Sequence, residues 1–251
     1  MEARTNVLIS GSPNAVRTPL VWAVGYYANE DYFLPELHVE NMPRLKRGQK
    51  LVSKDGTVHN VRLKRSLKGE EKIGDWKWSD NPFTRQRELN GLRVIMALIN
   101  NWDLKDANNA IYEEKHGDSG ISELHYAVSD LGASFATTGF SWTQSISKGN
   151  LKAYQHSKFI RKKRSEYVDF YVPSRPALIY LTAPKEFFSR VNMRWIGRHI
   201  PRSDAQWIGG LLAQLSPDQI RDAFRAAGYT PDQVNAYAAV VEKRIAELDR
   251  L

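Results

Sequence analysis

Asn100-Asn-Trp-Asp-Leu-Lys-Asp-Ala-Asn-Asn109 and, after a polar excursion, Tyr126-Ala-Val-Ser-Asp-Leu-Gly132 are the two lines of sequence on which the fold and the function turn. Asp103, Lys105 and Asn108 stand in the order Asp-x-Lys-x-x-Asn, and Asp130-Leu131-Gly132 follows after a gap long enough for a β-hairpin. A loop can bring Asp103 and Asn108 to one mouth, and a hairpin can return Asp130 beside them. Such a set suits phosphoryl transfer, which is mostly positioning and charge neutralisation. One carboxylate takes the proton of the accepting hydroxyl, while an Asn and a second Asp hold Mg²⁺ against the phosphates.

The flanking sequence supports that placement. Asn81-Pro82 offers a helix N-cap and a first-turn proline. Leu89, Leu92, Ile95, Met96 and Ile99 recur at three and four residues, and Val94 and Leu98 widen the stripe. This predicts a mostly buried helix from Asn81 to Asn100–Trp102, with Asp103 directly beyond it. Ala110–Glu114 and Leu124–Val128 read as short strands around a Gly117–Gly120 turn, so Asp130 leaves a strand end. Ser134–Gly149 is a Ser-, Thr- and Gly-rich loop in which Ser134, Thr137, Thr138, Thr143 and Ser145 are candidate phosphorylation sites.

Towards the N-terminus, Asn6–Ser10 reads as a strand and Gly11–Asn14 as a turn. A helix is expected from Thr18, with Pro19 in its first position, through Leu20, Val21, Trp22, Val24 and Tyr27. Asp31–Asn41 and Thr57–Lys64 read as strands, with Asp55-Gly56 as a hairpin turn. Residues 65–80 are charged and glycine-punctuated, which predicts an exposed linker. Its Trp76 and Trp78 either stack on a base or pack a thin linker against the body.

Towards the C-terminus, Lys152–Arg164 ends in Arg161-Lys162-Lys163-Arg164, a run able to meet nucleic-acid phosphates or an anionic surface. Tyr167–Val172 and Ala177–Thr182 read as extended or buried segments, and Lys185–Trp195 as helical. Ser216-Pro-Asp-Gln and Thr230-Pro-Asp-Gln each spell an N-cap, a first-turn proline and a Gln three residues on. Gly228 stops the first of these helices, and with an Asp204–Leu215 helix they predict a small bundle.

The chain has 251 residues, 42% hydrophobic and 25% charged, enough to bury a real core. It has no cysteine, hence neither a disulfide framework nor a thiolate metal site. Its six histidines lack metal spacing, so His38 and His59 read as ordinary strand residues. Neither a long apolar run nor a signal-peptide pattern is evident, which reads as a cytoplasmic protein without a membrane span. A net charge of +8 favours anionic partners without choosing among them.

Over residues 100–132 the sequence resembles the protein-kinase-like superfamily, whose catalytic loop often reads Asp-Leu-Lys-x-x-Asn and whose metal loop reads Asp-Phe-Gly or Asp-Leu-Gly. Asn101-Trp102 replaces the usual His-Arg, closer to the atypical bacterial, HipA-like and phosphatidylinositol-kinase-like branches. The resemblance implies ATP and Mg²⁺ as cofactors, Asp103 as catalytic base and Lys105 as a phosphate-contacting cation. Asn108 and Asp130 would be the metal ligands, with Gly132 completing the metal loop. It also implies an α+β fold with a reduced, strand-rich N-terminal lobe over residues 1–80 and a mainly helical C-terminal lobe over 81–251.

One part of that pattern is missing. Nothing before the Thr18 helix reads as the strand Val-Ala-Ile-Lys, and that helix carries no Glu until Glu30. Arg4, Arg17 and Lys64 are the substitutes on offer. Three functions follow: a phosphotransferase, a nucleotide-binding pseudokinase or interaction module, and a basic nucleic-acid-binding protein. The phosphate acceptor is not legible.

Overall fold

The computed structural model describes residues 4–9, 17–45, 49–66, 70–115, 121–136, 149–173, 179–182 and 184–251. These form a mixed α+β fold with three small antiparallel sheets among the described residues. The first contains β1 (Arg4–Ile9), β2 (Asp31–His38) and β3 (Thr57–Ser66), with β3 between the other two. Gly56 lies at φ 85°, and Asp55 Oδ1 accepts from Thr57 N at 3.0 Å, so Asp55-Gly56 turns the chain into β3 as expected. Val58 and Val61 of β3 are buried.

The first helix, α1 (Arg17–Trp22), is shorter than its apolar pattern predicts. Gly25, at φ 86°, ends the turn that follows, and Tyr27 belongs to an extended stretch whose neighbour Ala28 bridges in parallel to Val128. That bridge, with Val128 N donating to Tyr27 O at 3.1 Å, attaches the N-terminal part to the second sheet.

The second sheet is β4 (Glu70–Gly74), β5 (Asn109–Lys115) and β6 (Ser122–Val128), with β5 central. Residues 70–80 are therefore not an exposed linker. β4 pairs Glu70 with Glu114, and Trp76 and Trp78 are buried, their rings edge to face at 4.8 Å. Trp76 Nε1 donates to Ala127 O at 2.9 Å, which ties this segment to the hairpin that precedes Asp130. The tryptophans thus pack the body and present no base-stacking platform.

The expected central helix exists as α2 (Arg87–Leu98), with Leu89, Leu92, Val94, Ile95, Met96, Ala97 and Leu98 all buried. It starts later than Asn81. Asn81 Oδ1 accepts from Phe83 N at 2.9 Å and closes a local turn, and Arg85 at φ 72° interrupts the chain before the helix. Asn favours such turns for the same reason that it favours caps, because its side chain imitates a backbone carbonyl.

Beyond α3 (Leu151–His156), the third sheet joins β7 (Ile160–Lys163), β8 (Tyr167–Phe170) and β9 (Ile200–Pro201). Ile179–Thr182, expected as extended or buried, forms the short helix α4, in which Tyr180 and Leu181 are exposed. Then follow α5 (Pro184–Asn192), α6 (Arg202–Leu212), α7 (Pro217–Arg225) and α8 (Pro231–Asp249). Ser216 and Thr230 both form full capping boxes, with Gln219 and Gln233 reaching back. Gly228 at φ 77° joins the two helices, and the Phe33 ring of β2 fills the space a Cβ there would take. Phe135, Tyr154, Phe224 and Tyr237 form an aromatic cluster in the core beneath α2. Among the described residues, no helix is long and apolar enough to cross a membrane.

Candidate functional site

The site begins where α2 stops. Asn100 takes φ 56°, its N–H donates to Ala97 O at 3.0 Å, and Asn101 N donates to Met96 O at 2.8 Å. These are the two bonds of a left-handed helix terminator, at which Asn is tolerated because its short polar side chain lowers the left-handed penalty. Both asparagines are buried. Asn100 Nδ2 donates to Ala136 O, and Asn101 Oδ1 accepts from Asp103 N at 3.0 Å. Asn101 thereby orients the backbone of Asp103, a role the sequence reading had not assigned.

The segment after Gly132 runs beside this terminator. Trp102 N donates to Ala133 O at 3.2 Å, and Phe135 N to Ile99 O at 2.7 Å. From the other side, the buried Arg244 of α8 donates to Ala97 O and Leu98 O, so a guanidinium covers the negative end of α2. One facing segment and a cation from α8 thus hold the end of α2 from which the Asp103 loop leaves.

Asp103, Lys105, Asn108, Asp130 and Gly132 lie along one short run of contacts. Lys105 Nζ lies 3.7 Å from Asp103 Oδ1. Asn108 Nδ2 donates to Asp103 O at 2.6 Å. A carbonyl can only accept, so this bond identifies the amide nitrogen and leaves Asn108 Oδ1 as the side chain's remaining acceptor. The backbone O of Asn108 accepts from Ser129 N at 2.8 Å, Ser129 Oγ at 3.0 Å and Asp130 N at 3.1 Å. One residue thus grips the Asp103 loop with its side chain and the Asp130 loop with its main chain. Asp130 is exposed, and its Oδ1 accepts from Gly132 N at 2.7 Å, closing a local turn.

An amide oxygen and a carboxylate make a hard, oxygen-only donor pair. Mg²⁺ is held by few protein oxygens and completes an octahedron with phosphate and water, so the pair suits it. Among the described residues, no group of three or more His, Asp or Glu side chains could hold a metal ion.

Beside these loops, a cavity of about 670 Å³ lies between the N-terminal part and one face of the second sheet. Tyr27 and His125, with ring centroids 4.5 Å apart, form part of its wall together with Trp22 and Tyr112. Lys64 projects from β3, and its Nζ donates to Tyr112 Oη at 3.1 Å. Across the cavity, Glu70 has its carboxyl pushed above the usual range, first by burial, while His125 and Lys64 pull it down and Glu114 raises it. Glu30 is taken by Arg65, at 3.0 Å. Of the three substitutes for the missing strand lysine, Lys64 lines this cavity, whereas the side chains of Arg4 and Arg17 lie outside the described residues. Asp103, Asn108 and Asp130 do not line it.

Other candidates separate from this centre. Ser134 is buried with its Oγ donating to Leu131 O at 3.0 Å, so it is closed to phosphorylation. Thr137, Thr138, Thr143 and Ser145 lie outside the described residues. Arg161–Arg164 are exposed on and just after β7, whose register with β8 shifts between Ile160 and Lys162. No protein-family model and no curated protein matches the chain.

Proposed function

We propose that the chain is a Mg-ATP-dependent phosphotransferase of the protein-kinase-like kind. Asp103 acts as the base toward an acceptor hydroxyl, and Lys105, close to that carboxylate, steadies charge on the transferred phosphoryl group. Asn108 Oδ1 and the Asp130 carboxylate hold Mg²⁺, with Gly132 fixing the turn that presents Asp130. The nucleotide lies in the cavity, where Lys64 takes the place of the absent strand lysine. The observation that carries this reading is the double grip of Asn108, on Asp103 O through its side chain and on Asp130 N through its carbonyl. A chance recurrence of Asp, Asn and Asp in sequence would not require the Asn to join the segments of the two Asp residues.

The test is calorimetric titration of ATP with and without Mg²⁺, on the wild type and on Asp130→Ala, followed by ADP release. Mg-dependent binding that disappears in Asp130→Ala supports the metal loop. Asp103→Ala should retain the fold and nucleotide binding while turnover falls roughly 10²–10⁴-fold, the usual worth of a positioned base. Equal turnover in that variant would remove Asp103 from the mechanism.

One observation favours a second reading, a nucleotide-binding pseudokinase. Lys64 bonds to a neutral phenol rather than to a helix glutamate, so the ion pair that aligns phosphates in full kinases is not formed there. Mg-dependent binding without turnover would select this alternative.

A further inference from the structure

Cavity and metal loop are joined by a single file of hydrogen bonds. Lys64 Nζ donates to Tyr112 Oη at 3.1 Å, Tyr112 Oη donates to Asn29 Oδ1 at 3.1 Å, and Asn29 Nδ2 donates to Ser129 O. Every bond points the same way, from a cation toward a backbone carbonyl, and bonds so aligned polarise one another. Asn29 meets a donor at its oxygen and a carbonyl at its nitrogen, so its amide is fixed from both ends.

The carbonyl at the end of this file belongs to the peptide bond that enters Asp130. The N–H of the same peptide donates to Asn108 O. The plane before Asp130 is thus held on one edge by Asn108 and on the other by Asn29, which comes from the N-terminal part. Lys64 has two further ammonium hydrogens on a side chain that lines the cavity.

We infer that Asn29 is a positioning residue for Asp130, and that the Lys64–Tyr112–Asn29 file couples an anionic group bound in the cavity to a divalent cation bound at Asp130. The inference rests on the phosphotransfer reading. An anion drawing on Lys64 shifts the ammonium against Tyr112, and the shift is felt at the peptide that aims the Asp130 carboxylate. By linkage, the cation raises affinity for the anion by the same factor.

The test is ATP titration in Mg²⁺ and in EDTA on wild type, Asp130→Ala, Tyr112→Phe, Asn29→Ala and the Tyr112→Phe/Asn29→Ala double variant. Thermal melting is recorded for each. Tyr112→Phe removes one oxygen from an otherwise unchanged ring. The Mg²⁺-dependent gain in ATP affinity should fall roughly 3–10-fold in each single variant, the worth of a hydrogen bond. Affinity in EDTA gauges what each wall residue contributes to the nucleotide directly and is divided out, and the double variant should lose no more of the gain than the worse single, because the residues act as one file. An unchanged gain in Tyr112→Phe, an equal loss with and without Mg²⁺, or additive losses would each overturn the coupling. If Asn29→Ala does not fold, Tyr112→Phe decides alone. A wild type without any Mg²⁺-dependent gain overturns the phosphotransfer reading and this inference with it. A gain abolished by Asp130→Ala but untouched by Tyr112→Phe overturns this inference only.

Discussion

Replacing Arg244 tests how the end of α2 is held. Its guanidinium is buried, 2% exposed, and donates to Leu98 O and Ser157 Oγ at 2.7 Å. Longer bonds reach Ala97 O at 3.2 Å, Ser157 O at 3.3 Å and Tyr154 O at 3.4 Å. The group also lies 4.2 Å from the centroid of the Tyr154 ring. No carboxylate pairs with it among the described residues, so carbonyls, the Ser157 hydroxyl and the faces of Tyr154 and Phe159 offset the removal of the charge from water.

The acceptors have other donors. Leu98 O also takes Tyr154 Oη at 2.7 Å, Ala97 O takes Asn100 N at 3.0 Å, and Tyr154 O takes Ser157 Oγ at 2.7 Å. Arg244→Met therefore removes the charge together with its desolvation and leaves these three carbonyls paired. The two short charge-assisted bonds are worth about 1.5–3 kcal/mol each before that desolvation is subtracted, so the net loss is about 1–3 kcal/mol. Arg244→Lys keeps a buried charge but loses the planar fork and the stacking, and costs about 3–5 kcal/mol. Urea unfolding followed by tryptophan fluorescence measures both. For a chain of this size the melting temperature falls by about 2–4 °C per kcal/mol. A lysine variant as stable as wild type, or more stable than the methionine variant, would refute the argument that α8 supplies fork geometry and not charge alone.

Gly228→Ala should destabilise by about 2–4 kcal/mol, because the new Cβ adds a left-handed penalty to a clash with the Phe33 ring; thermal melting of the variant and of Gly228→Ala/Phe33→Leu, which should recover part of the loss, checks this. Glu70 is perturbed upward by burial, so its stabilising contribution is present below the ordinary glutamate range and is lost as pH rises through its folded value. Glu70→Gln should then melt with wild type at about pH 4 and above it at pH 7, and a gap of the opposite sign would show that Lys64 and His125 outweigh burial. Asn100→Gly should unfold more easily than wild type by about 1 kcal/mol, through the lost bond to Ala136 O, and Asn100→Ala by more, since alanine also resists φ 56°.

Local signals were read best where local chemistry decides. The capping boxes at Ser216 and Thr230 need only four consecutive residues each, and both formed. The stripe of α2 was legible, yet its start was not, because Asn81-Pro82 serves a turn as readily as a cap. β4 was invisible for a different reason. Glu70-Glu71-Lys72 has the charges of an edge strand, and only the pairing with β5 makes it one. Trp76 and Trp78 looked like linker residues because the groups that hold them, on the hairpin strands and the Asp106–Asn109 stretch, lie elsewhere in the chain. At the site, Asp103, Asn108 and Asp130 were legible as an order of side chains. Lys64 was legible only as one of three substitutes for a strand lysine, and Asn29 and Tyr112 were not legible, because their meeting with it depends on β3 and β5 approaching across the cavity. Asn101 could have been found from the helix terminator, whose second polar residue turns inward.

Phe135 gives the chain after Gly132 an anchor. It takes φ 55°, is wholly buried, and sets its ring against Tyr154, Phe224 and Tyr237 at 5.2, 5.4 and 5.9 Å. Withdrawing that ring costs about 3 kcal/mol in apolar burial and edge contacts, which keeps a swung-out segment below about one molecule in a hundred. The backbone that carries Asp130 is therefore held in place, and a cation at the site proposed here would find little main-chain ordering entropy left to lose.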